Sequence, residues 1–92
     1  MAKNFLINGD TKNSISPFDR GLAFGDGVFR TFLIKDGNPI NWKNQYQKLS
    51  QDLKAIEIKP PSQKILLTDI QKLFPAKGIF ISKIIVTRGE SQ

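Results

Sequence analysis

Two runs of strand formers enclose a stretch of helical periodicity, and that order restricts the fold more than any other feature. The first run is Val28 to Lys35 and the second is Ile79 to Thr87. Between them Trp42, Tyr46, Leu49, Leu53 and Ile56 recur at spacings of 4, 3, 4 and 3, one apolar stripe along a helix. Asn41 stands where an N-cap belongs, and Lys59-Pro60-Pro61 ends the pattern. Ser62 can cap a second helix, in which Ile65, Leu66, Ile70, Leu73 and Phe74 share a face. Pro75 and Gly78 close it.

The strand runs alternate. Phe29, Thr31 and Leu33 share one face of the first; Val28, Arg30, Phe32 and Ile34 share the other. Asp36-Gly37 signals a tight hairpin, and Pro39 to Asn41 should return antiparallel along an edge. In the second run Ile79, Ile81 and Ile85 face one way, and Phe80, Ile84 and Val86 the other. Apolar residues on both sides predict a central strand covered on each face. Phe5-Leu6-Ile7 reads as a further short strand entering a turn at Asn8-Gly9-Asp10. Residues 11–27 form a long loop, a length often reserved for function. The expected fold is α+β, a small, mainly antiparallel sheet with both helices on one face. The opposite sheet face then needs a cover from another domain, another chain or a ligand.

Ninety-two residues suit one small domain, residues 1–92. With neither cysteine nor histidine, disulfides and the commonest metal ligands are excluded, and no metal site is expected. The N-terminus has no signal-peptide pattern, and no run approaches the roughly 20 apolar residues that span a bilayer. A cytoplasmic chain without membrane contact is expected. The net charge is +6, from 14 Lys+Arg against 8 Asp+Glu. The lysines are scattered rather than blocked, so a solvated surface is expected and nucleic acid is not.

Few residues carry chemistry by pattern alone. Gly25-Asp26-Gly27 is a weak nucleotide signal, because Arg30 takes the place of the third glycine and the loop precedes a strand rather than a helix. A structural turn with Asp26 bonding local amides is the plain alternative. Thr31 either touches a ligand or bonds its neighbours. Arg30 either clamps an anion or projects to solvent. Lys48 flanks the helical stripe as an ordinary surface lysine, and Trp42 and Tyr46 read as core.

The run Ser16-Pro17-Phe18-Asp19-Arg20-Gly21-Leu22-Ala23-Phe24-Gly25-Asp26-Gly27-Val28-Phe29-Arg30-Thr31 resembles the start of the aminodeoxychorismate lyases. These belong to the fold-type IV pyridoxal phosphate enzymes, with the branched-chain and D-amino acid aminotransferases. Phe5 to Gly9 resembles that family's first strand and turn, Asp36 to Pro39 its hairpin, and Thr87-Arg88-Gly89 the T-R-G that closes its small N-terminal domain. Gln45-Tyr46-Gln47-Lys48-Leu49 falls where the family carries H-x-x-R-L, whose arginine holds the cofactor phosphate. Lys48 keeps that charge without the two-pronged guanidinium.

The resemblance implies the N-terminal domain of a two-domain lyase that forms 4-aminobenzoate and pyruvate for folate synthesis, with a class IV aminotransferase as alternative. The cofactor would be pyridoxal 5'-phosphate, with Lys48 beside its phosphate. Phe29, Thr31 and Arg88 would face a small-molecule substrate. The family's catalytic lysine and its ring-nitrogen acid lie in the C-terminal domain, so no catalytic residue is expected here and the domain alone should be inactive. A homodimer is implied for the parent. A stand-alone module binding an anion or nucleic acid is the reading from outside the family.

Overall fold

The computed structural model describes residues 5–10, 14–20 and 25–89. Strand β1 spans Gly27–Lys35, and β2 is the two-residue Asn38–Pro39. Helix α1 covers Trp42–Ala55, helix α2 Gln63–Leu73, and strand β3 Ile79–Thr87. The sheet order is β2-β1-β3, and both pairings are antiparallel. This is the expected α+β arrangement.

Local chemistry accounts for most boundaries. Asp36 and Gly37 both have positive φ, 50° and 83°, the geometry of a two-residue hairpin whose twist matches its strands. Lys35 accordingly pairs with Asn38. Asp36 does more than turn the chain. Its amide donates to Gly78 O and its Oδ1 accepts from Gly78 N–H, both at 2.8 Å, which ties the end of β1 to the start of β3. The Ser62 hydroxyl caps α2 by accepting from Ile65 N–H at 3.4 Å.

Three expectations are corrected. Asn41 holds the cap position of α1 but makes no side-chain cap bond, because it sits in the left-handed region at φ 56°. The turn out of β2 requires that conformation, and asparagine tolerates it. Phe5 to Ile7 does not join the sheet. The turn at Asn8-Gly9 is present, closed by a single Ile7–Asp10 bridge. And β3 is an edge strand, not a central one, among the described residues. Its second apolar face is left in the open.

The core lies between the sheet and the helices. Phe32 and Ile34 of β1 pack with Ile70 of α2, and Trp42, Phe74 and Ile84 close round them. Leu49 and Leu53 of α1 are also buried. Both helices therefore cover the Phe32 side. Ser82 stands directly across from Phe32, a small residue beside a large one. Trp42 meets Phe32 at 5.9 Å and Tyr46 at 5.8 Å between ring centroids. Tyr46 is half-buried, and its hydroxyl donates to Pro61 O at 2.8 Å, which pins α1 to the start of α2. Ile56, the last of the apolar stripe, follows α1 as its C-cap rather than extending it.

Candidate active-site face

The pleat puts Phe29, Thr31 and Leu33 on the side of β1 away from the helices. Their cross-strand partners on β3 are Ile85, Lys83 and Ile81. Phe29 is 62% exposed, Ile85 63% and Ile81 71%, so this face stays open within the chain. Cross-strand pairing brings Lys83 opposite Thr31, and its Nζ lies 4.6 Å from the centre of the Phe29 ring. At that distance the ring face attracts the ammonium electrostatically. The result is an apolar shelf carrying one cation, one hydroxyl and one aromatic ring together.

Glycine chemistry shapes the adjoining end of the sheet. A Cβ on Gly27 would stand 2.6 Å from Val86 O and 3.1 Å from Thr87 Cα. Backbone fills that space, so a glycine is required for β1 to begin so close to β3.

Beside it the Asp26 carboxylate joins two arginines from distant parts of the chain. Oδ2 accepts from Arg20 Nε and from Arg88 Nε, each at 2.7 Å, and Oδ1 accepts from Arg88 Nη2 at 3.3 Å. Arg88 Nη2 also donates to Ile56 O, just beyond α1. The backbone follows the same path. Arg20 N–H donates to Gly89 O, Asp26 N–H to Arg20 O, and Arg88 N–H to Asp26 O. Thr87 Oγ1 donates to Asp19 Oδ1 at 2.8 Å. The hydrogen bond from Arg88, then that from Arg20, holds the Asp26 carboxyl below its ordinary value of 3.8. Asp26 in turn raises the pKa of Arg88. The reading of Asp26 as a binder of local amides is thus corrected, because two guanidinium groups take its carboxylate.

The residues singled out by sequence fall in three places. Phe29 and Thr31 share the open face. Arg88 lies at the end of the sheet with Asp26 on its guanidinium. Lys48 is exposed on α1, the layer across the sheet from Phe29 and Thr31, and its side chain makes no hydrogen bond or ion pair among the described residues. Arg30 is half-buried rather than projecting freely to solvent. It points to the helical side, where Nη2 and Nε donate to Gln45 Oε1 at 2.8 and 3.2 Å. Gly21, Leu22, Ala23 and Phe24 of the long motif lie outside the described residues.

Lys83 escaped the sequence reading. The alternation that placed Ile81 and Ile85 on one face places Lys83 there too, but only the β1–β3 register shows that it meets Phe29 and Thr31. A shallow polar depression of about 420 Å³ between α1 and the start of α2 is lined by Lys43, Tyr46, Ser50 and Lys54, and includes none of the expected site residues. Among the described residues no group of three or more His, Cys, Asp or Glu could hold a metal ion. No helix among them is long and apolar enough to cross a membrane.

No family model matches the sequence. Solved structures do match the shape. A 4-amino-4-deoxychorismate lyase from Pseudomonas aeruginosa is 30% identical, with a TM-score of 0.77, over 92% of this chain and 31% of its own. A fold IV transaminase from Curtobacterium pusillum is 22% identical with a TM-score of 0.75, over 85% of this chain and 29% of its own. A hypothetical aminotransferase from Mycobacterium tuberculosis in its PLP-bound form is 20% identical with a TM-score of 0.75, over 87% and 30%. The chain therefore spans about a third of the length of these relatives. The aminotransferases support the fold, and the lyase adds sequence likeness to it. This chain is therefore similar in sequence and fold to about a third of a 4-amino-4-deoxychorismate lyase, and in fold to a like share of the two aminotransferases.

Proposed function

We propose that this chain is the N-terminal domain of a pyridoxal phosphate-dependent 4-amino-4-deoxychorismate lyase, and that the open face of its sheet is one wall of the active site. The observation that carries the reading is the convergence of Phe29, Thr31 and Lys83 on a sheet face that the chain's own helices leave bare. The higher identity to the Pseudomonas aeruginosa lyase than to the two aminotransferases favours the lyase. The parent's product would be 4-aminobenzoate, released with pyruvate in folate synthesis in the cytoplasm, by a homodimeric enzyme.

Each residue has a physical role in that reading. The substrate carries carboxylates, and the Lys83 ammonium offers them a charge beside an apolar shelf. The Thr31 hydroxyl can donate to or accept from a polar substituent. Phe29 supplies a flat apolar surface for a ring. Arg88 makes no Nη1 hydrogen bond among the described residues, so that nitrogen can meet an anion while Asp26 keeps the rest of the guanidinium still. Lys48 has an uncommitted positive charge, which fits a cofactor phosphate as a point charge. It stands on the other layer from Thr31, so its role is tested separately. Pyridoxal phosphate, when bound, supplies an electron sink for breaking bonds next to an amine. This chain's part is to bind, orient and shield, and the covalent lysine would come from elsewhere in the parent.

The experiment is an assay of the full-length gene product with 4-amino-4-deoxychorismate and, separately, with amino donors and keto acids. Release of 4-aminobenzoate supports the lyase, and amino transfer alone would replace it with the aminotransferase. A reading frame that stops after Gln92, with a 92-residue product that binds anions or nucleic acid, would replace both. The 92-residue chain by itself is expected to show no turnover. Lys83→Met in the full-length enzyme is expected to raise KM for the dicarboxylate substrate, and Lys48→Gln to weaken cofactor retention.

A further inference from the structure

We infer that residues 14–20, with Gly25 and Asp26, are fastened to the end of β3 by a polar latch that opens independently of the helix–sheet core. Asp26 is its pin.

The bonds that hold these residues to the strand end are polar. One carboxylate serves Arg20 and Arg88, Thr87 Oγ1 reaches Asp19, and Arg20 N–H reaches Gly89 O. Among the described residues of this segment apolar anchoring is weak. Ile15 is 54% exposed and Phe18 66%. The buried core stands apart, formed by Phe32 and Ile34 from the second half of β1 with Leu49, Leu53 and Ile70 from the helices. The hydrogen bonds of the latch involve none of those five residues. Segments with few buried apolar contacts open at lower free energy than the core, as local units.

The latch is also partly wet. The Asp26 side chain is 17% exposed and each arginine 37%. Opening therefore returns three charged groups to water without stranding any of them in a dry interior. Among the described residues the other charged neighbours are Asp19, which is bonded to Thr87, and Glu57, whose charge acts on Arg88. If Asp26 loses its charge, both arginines lose their shared acceptor at once, so one residue governs two attachments.

Amide hydrogen exchange by NMR on the intact 92-residue chain tests this, with protection factors corrected for intrinsic rates. In Asp26→Asn, the backbone amides of Arg20, of Arg88 and of the substituted residue itself should exchange roughly 2- to 30-fold faster, as expected for two accessible ion pairs lost together. The Phe32, Leu53 and Ser82 amides, which lie in α1 and in a hydrogen-bonded pair of the β1–β3 ladder, should keep wild-type protection. Arg20→Gln should raise exchange at the same three latch positions by a smaller factor. Acidifying the wild type through the Asp26 titration should reproduce the pattern, and acidifying Asp26→Asn should not. Unchanged exchange at the three latch amides would overturn the inference. So would an equal rise at Leu53 and Ser82, because the latch would then belong to the cooperative core.

Discussion

An alanine at position 27 tests whether the start of β1 is limited by space or merely by conformational freedom. Its Cβ would meet Val86 O at 2.6 Å, Thr87 Cα at 3.1 Å and Thr87 Cγ2 at 3.3 Å. Two of those atoms are backbone and cannot swing aside, so β1 and β3 must part where Gly27 pairs with Thr87. Overpacking of this kind costs about 1–3 kcal/mol. Alanine also removes the entropic penalty of glycine in a strand, which returns about 0.5–1 kcal/mol. The net expectation is a loss of about 1 kcal/mol, with an upper bound of about 2.5 kcal/mol. For a domain of this size a loss of about 1 kcal/mol lowers the thermal midpoint by roughly 4–8 °C. Urea unfolding followed by far-UV circular dichroism, with a matched thermal scan, measures it. A Gly27→Ala chain that is as stable as the parent, or more so, would refute the steric argument.

Other changes have clear directions. Leu53→Ala empties a fully buried site under the sheet and should cost about 2–5 kcal/mol in urea unfolding. Ile81→Lys on the open face should change stability by no more than about 0.5 kcal/mol, yet reduce activity of the full-length enzyme if that face is covered in use. Asp26 has a folded pKa below its ordinary 3.8, so its contribution is fully present above that value and is lost as pH falls through the lower folded value. Unfolding midpoints between about pH 5 and pH 2 should therefore fall more steeply in the wild type than in Asp26→Asn. Lys48→Gln should leave the midpoint unchanged, since the side chain is exposed and makes no bond among the described residues.

What the sequence disclosed was local. The Asp36-Gly37 turn, the Ser62 cap and the two helices each depend on residues a few places apart, and each formed where expected, although Ile65 of the second stripe is 60% exposed rather than packed. The division of β1 into a buried and an open face followed from alternation alone. What escaped depended on distant partners. Nothing near Asp26 announces Arg88, because the two meet only after β3 has paired with β1. Lys83 reads as an ordinary strand lysine until the register sets it over Phe29. Asn41 has the right residue type for a cap, but the chain leaving β2 imposes a left-handed conformation in which its side chain makes no cap bond. Apolar residues on both faces of β3 suggested a central strand, when what they mark is a face that the described residues leave exposed.

The β1–β3 pairing also bears on how the chain acquires its structure. Phe32 lies against Ser82, and both helices are threaded between those two positions. Loop-closure entropy must be met before that ladder yields any stabilisation, which makes the step slow relative to helix formation. A nascent chain that has emerged only through α2 has its hairpin and helical segments but lacks β1's long neighbour. Ribosome-bound chains halted before Ile79 should thus remain sensitive to protease, and those extended past Gly89 should become resistant.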